Sequence, residues 1–113
     1  MGGYSPFFSM RPVTQTISAT GYTDWIPVDY SMSAFNIGVQ IMPSVGASVV
    51  WSVQTTSDNP FTTLIPKTVT AKDPLKTGTG FEQGNITSPC LAVRLAATIA
   101  SGSITFTVIQ GRN

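Results

Sequence analysis

Four runs of this chain alternate apolar and polar residues with a period of two, and that alternation constrains the fold more than any other feature. Phe35 to Met42 sets Phe35, Ile37, Val39 and Ile41 against Asn36, Gly38 and Gln40. Ser48 to Thr55 sets Val49, Trp51 and Val53 against Ser48, Ser52 and Gln54. Leu91 to Ile99 sets Leu91, Val93, Leu95, Ala97 and Ile99 against Ala92, Arg94, Ala96 and Thr98, and Ser103 to Gln110 sets Ile104, Phe106 and Val108 against Thr105 and Thr107. Successive side chains of a strand point to opposite faces, so each run has one face to bury and one to leave wet. The inward set is expected to include Ile37, Val39, Val49, Trp51, Val53, Val93, Leu95, Phe106 and Val108. Parity sends Arg94 to the outer face, opposite Val93 and Leu95.

The runs also suggest their connections. Pro43 to Ala47 is a short turn containing Gly46, and Ser101-Gly102 is another. Two alternating runs joined by so few residues read as a hairpin, so two hairpins are expected. Val13 to Ser18 and Tyr22 to Val28 add two short strands around an Ala19-Thr20-Gly21 turn. Pro27 lacks an N–H and places the second of these at an edge or ends it. No stretch repeats apolar residues at helical spacing. Short strands at roughly ten-residue intervals predict an all-β domain, a single antiparallel β-sandwich (Ig-like or jelly-roll-like) or a small β-barrel.

The domain is expected over 13–113, preceded by an arm at 1–12 and interrupted by an irregular segment at about 56–88. Ser57-Asp58-Asn59-Pro60 opens that segment as a turn. Thr62 to Thr70 has room for one or two strands broken by Pro66. Ala71 to Ser88 reads as a long Gly-, Thr- and Lys-containing loop, outside the core and suited to contacts. The arm carries Tyr4, Phe7 and Phe8, too apolar for a free tail. It either packs on its own domain or docks on a neighbour.

Charge narrows the function classes. Only 10% of residues are charged and the formal net charge is +1. No basic field exists to displace counterions from nucleic acid, so no specific nucleic-acid partner is expected. A surface so poor in charge suits a protein packed against neighbours. No apolar stretch approaches the roughly 18 residues of a membrane helix, and no membrane partner is expected. Met1 to Pro12 lacks the pattern of a signal peptide, so use without secretion is expected.

Chemistry is sparse. The chain has no histidine and one cysteine. Serine and cysteine nucleophiles usually need a histidine base, so no catalytic residue is expected, and Cys90 reads as a small hydrophobe. Asp24, Asp29, Asp58, Asp73 and Glu82 are scattered, which predicts neither a paired-carboxylate site nor a metal site. No cofactor is expected. Lys67, Lys72 and Lys76 either touch a phosphate or acidic partner or form a solvated loop. Trp25, near Tyr22 and Pro27, is either an exposed aromatic contact or a sheet-end packing residue. Arg94 either bonds a loop or a neighbouring carboxylate, or lies in an intersubunit contact.

Three phrases then resemble small structural proteins of tailed bacteriophages. They are WSVQTTSDNP (Trp51 to Pro60), PCLAVRL (Pro89 to Leu95) and GSITFTVIQG (Gly102 to Gly111). The resemblance spans about the last two-thirds of the chain and stops short of the arm. It implies a non-enzymatic virion protein assembled in the host cytoplasm, chiefly a capsid decoration or cement protein. A head–tail connector or tail component is the alternative within that class. The implied partners are the major capsid protein or neighbouring virion subunits, with homo-oligomers. The candidate subunit contacts are Tyr4, Phe7, Phe8, Trp25, Lys72, Lys76, Phe81 and Arg94. A small carbohydrate- or receptor-binding module, stacking its ligand on Trp25, is the rival from a different class.

Overall fold

A computed structural model describes residues 12–29 and 35–110. Their nine strands are β1 (Val13–Ile17), β2 (Gly21–Tyr22), β3 (Ile26–Pro27), β4 (Ile37–Pro43), β5 (Ser48–Thr56), β6 (Thr68–Thr70), β7 (Glu82–Ile86), β8 (Ala92–Ser101) and β9 (Ile104–Ile109). They form two antiparallel sheets packed face to face. One runs β1-β9-β4-β7; the other runs β2-β8-β5-β6, with β3 also paired to β8. The β-sandwich expected from alternation is the fold.

Its topology is a jelly roll. If β2 and β3 are counted as one interrupted strand, the first strand pairs with the last, the second with the second-last, and so inward to β5 with β6. The chain is one long antiparallel hairpin wound into two layers, which leaves only short edges. This winding overturns both expected hairpins. β4 and β5 lie in different sheets, as do β8 and β9. Each short turn carries the chain from one layer to the other. Alternation specifies which face is buried, and that face is the same whether two strands lie side by side or face each other across the core. The two crossings meet: Ser44 N–H donates to the Ser103 carbonyl at 2.8 Å and Ser103 N–H to Ser44 Oγ at 3.0 Å. Gly102 has φ +85° and sits where a Cβ would come within 2.5 Å of Ala47 Cβ, so glycine serves both the turn and the contact.

All nine expected inward residues are buried. The core also takes in Ile26, Ile41, Leu75, Ile86, Cys90, Ala97 and Ile104. Leu75 and Ile86 correct the reading of 71–88 as a loop outside the core. Glu82–Ile86 is the edge strand β7, paired to β4 from Ile37↔Ile86 to Ile41↔Glu82. Its Gly84 faces Leu75, whose side chain would lie 3.1 Å from a Cβ there. The strand is polar and contains glycine because Leu75, from a separate segment, supplies the apolar bulk at that point.

Candidate interaction surface

The outer face of the β5–β8 sheet is built by a bulge. Tyr22 pairs with Ala96 and Ile26 with Val93, so Thr23, Asp24 and Trp25 stand opposite only Arg94 and Leu95. Thr23 holds the bulge: its N–H donates to the Leu95 carbonyl at 2.9 Å, and its Oγ1 accepts from Leu95 N–H at 3.0 Å. Gln15 Oε1 accepts from Asp24 N–H at 2.9 Å and ties the bulge to β1. An extra residue re-aims side chains, and here both Tyr22 and Trp25 reach Arg94. The guanidinium carbon lies 3.9 Å from the Tyr22 ring centroid and 4.4 Å from that of Trp25. Across the ladder, Arg94 Nε donates to Gln54 Oε1 at 2.9 Å.

Arg94 thus leaves the core on the expected face. Its partners are two rings and an amide, with no carboxylate ion pair among the described residues. Desolvation by the surrounding side chains lowers its pKa from the ordinary arginine value, against a smaller opposing influence of Tyr22. Beside this cluster the same face carries a shallow groove of roughly 350 Å³. Ser52, Ala96 and Thr98 line it, with Tyr22, Val50 and Thr77.

A hydrogen-bonded apolar loop follows β5 beyond the Gln54–Arg94 pair. At its neck Lys67 N–H donates to Asp58 Oδ2 at 2.7 Å, and buried Thr56 donates its Oγ1 proton to the Lys67 carbonyl at 2.7 Å. Inside it, Asn59 Oδ1 accepts from Phe61 N–H at 2.9 Å and the Asn59 carbonyl from Thr63 N–H at 2.9 Å. These are the side-chain-stabilised turns that Asp58-Asn59 announces. The loop holds Leu64 96% exposed, Ile65 82% and Phe61 64%. The sequence reading passed over these three. The signal was present as FTTLIP, a cluster of large apolar residues between two prolines with no alternation to bury it.

Segment 71–81 runs along the free side of β5. Ala71 N–H donates to the Val53 carbonyl at 2.9 Å, and Trp51 and Gly78 exchange backbone bonds at 2.9 and 3.0 Å. Trp51 Nε1 donates to the Gly80 carbonyl at 2.9 Å, and a Cβ on Gly78 would overlap the indole. The segment thereby covers an edge that would otherwise offer unpaired backbone. Lys72, Lys76 and Phe81 are exposed along it. Of the expected contact residues, only Trp25 and Arg94 are brought together. Tyr4, Phe7 and Phe8 lie outside the described residues.

Cys90 is buried, and desolvation raises its pKa to about 11 against a weaker opposing backbone hydrogen bond at Ala92. A thiol held protonated is a poor nucleophile. Compared with protein-family models and with curated proteins, the sequence gives no match. Among solved structures, the chain is similar to a protein of Bacillus endospore appendages, described as forming a novel family of disulfide-linked pili. The identity is 14%, covering 92% of this chain and 88% of that chain, with a TM-score of 0.44.

Proposed function

We propose that this chain is a non-enzymatic structural subunit of a larger assembly, and specifically a decoration or cement protein of a tailed-phage head. One observation carries the structural role. The loop 57–67 holds Phe61, Leu64 and Ile65 in water on a hydrogen-bonded frame. An apolar cluster held by hydrogen bonds costs less ordering entropy on binding, and exposed apolar clusters of this kind mark interaction sites. The lack of histidine and the protonated, buried Cys90 support a role without catalysis. The virion assignment rests on the three phrases that resemble phage structural proteins. Its partners would be the major capsid protein or adjacent virion subunits, including further copies of itself.

The jelly roll does not choose among the readings, because shell subunits and lectins both use it. The rival sugar-stacking module is disfavoured by Arg94, which already occupies a face of Tyr22 and a face of Trp25. Quantitative mass spectrometry of purified particles tests the proposal. A copy number close to that of the major shell protein supports decoration, and a far smaller one supports a connector or tail component. Absence from particles overturns the virion reading.

A further inference from the structure

We propose that Arg94 is the receptor for one carboxylate, carried by an extended acidic segment of a neighbouring subunit. The proposal rests on the assembly reading above and names the chemistry of its contact. The guanidinium is fixed before any partner arrives. Tyr22 and Trp25 flank it, and Gln54 Oε1 occupies Nε. These contacts leave the Nη nitrogens as its open edge. No buried side-chain nitrogen among the described residues lacks a partner, so the unbonded Nη atoms face solvent.

A planar fork with an open edge matches the two oxygens of a carboxylate. The neighbouring rings lower the local dielectric and strengthen that pair. No lysine lines the groove beside the clamp, so the site offers one positive charge, which suits a carboxylate better than a doubly charged phosphate. The groove supplies the path for the segment. Ser52, Ala96 and Thr98 form a small-residue floor next to Arg94, and Val50 and Thr77 flank it.

The test is an NMR titration of the intact, isotope-labelled protein that follows Arg94 Nε–H and the Tyr22 and Trp25 ring signals. The probes are a short capped peptide with one central glutamate, its glutamine twin, and inorganic phosphate. The glutamate peptide should give saturable shifts at Arg94, Tyr22 and Trp25 with a millimolar Kd. The glutamine twin should give none. Arg94→Lys keeps the charge but loses the fork, and should weaken binding by about tenfold with an unchanged melting curve. Equal shifts from both peptides, no saturation, or saturation by phosphate alone would overturn the carboxylate assignment. Because the titration uses free protein, a positive result with a chain absent from particles sinks the virion reading and leaves the site standing. A chain abundant on particles that ignores the peptide does the reverse.

Discussion

The outer faces of the two sheets are made from the same strand grammar and end as opposites. On the β4–β9 sheet, Thr14 and Thr107 bond at 3.2 Å and Thr16 and Thr105 at 3.1 Å, with Gln40, Gln83 and Asn85 continuing the uncharged surface. Much of that surface is satisfied side chain to side chain. A shallow groove lies on each face, but the β5–β8 sheet adds a cation with no paired carboxylate among the described residues, two aromatic rings and, past the end of β5, an apolar loop held at its neck. The open guanidinium edge on this face, with the exposed leucine and isoleucine of the loop next to it in sequence, is what the proposed subunit contact would use.

The largest expected effect breaks this contrast outright. Leu64→Asp combined with Ile65→Asp should lower occupancy on particles at least about a hundredfold, roughly 3 kcal/mol, because each change puts an unpaired carboxylate into an apolar contact. The melting curve of the free subunit should hardly move. Gln83→Lys on the other face should leave occupancy within about twofold. Equal losses from both would show that the faces are equivalent.

Titration gives the next largest difference. Cys90, just before β8, is the one buried titratable side chain among the described residues. Its folded pKa of about 11 lies above the ordinary 9.0. Below pH 9 the thiol is protonated in both states and its contribution is fully present. As pH rises from 9 through 11 the unfolded chain ionises first, and roughly 2–3 kcal/mol of stability should be lost. Denaturant melts across that range should show the loss, and Cys90→Ala should remove this part of the slope.

Glycine substitutions separate the covered edge from the bare face. Gly78→Ala drives a methyl into the Trp51 ring and should cost about 1–3 kcal/mol by overpacking. Gly38→Ala, whose added methyl would meet only the Ile109 carbonyl oxygen at an ordinary 3.6 Å, should change stability by less than about 0.5 kcal/mol. A small effect is also expected at the clamp. Arg94→Ala should cost the isolated subunit no more than about 1 kcal/mol. Val93→Ala, one residue earlier and fully buried, should cost about 2 kcal/mol. Thermal melts that rank these two the other way would make Arg94 a structural residue.

Legibility in the sequence follows from how each residue is used. Ile37 to Ile41, Val49 to Val53 and Ile104 to Val108 meet one sheet on either side and one core beneath, so their alternation is undisturbed and readable. β7 is illegible because Leu75, from a separate segment, fills the space at Gly84, so the strand has a glycine where alternation would need an apolar residue. The hairpins were misread because a turn between layers and a turn within a layer demand the same alternation around them. At the candidate surface, parity alone found the outward course of Arg94. The rings that meet it depend on a bulge, visible only once the register between β2, β3 and β8 is known. Phe61, Leu64 and Ile65 were missed because an apolar cluster without a period reads as neither strand nor helix.

The winding of the chain also sets when the molecule can act. Val13 pairs with Val108, so the first strand must wait for nearly the whole chain to be made. β4 waits for β7 and β9, and β5 for β8; β5 with β6 is the only pair of consecutive strands among the described residues. Contacts this distant in sequence make folding slow and cooperative. The loop 57–67, which joins β5 to β6, belongs to the first piece able to pair, while the sheet face beside it stays unbuilt until β8 arrives. A chain stopped short of β8 therefore carries the apolar loop segment without Arg94 and without the strand that builds the sheet face beside it.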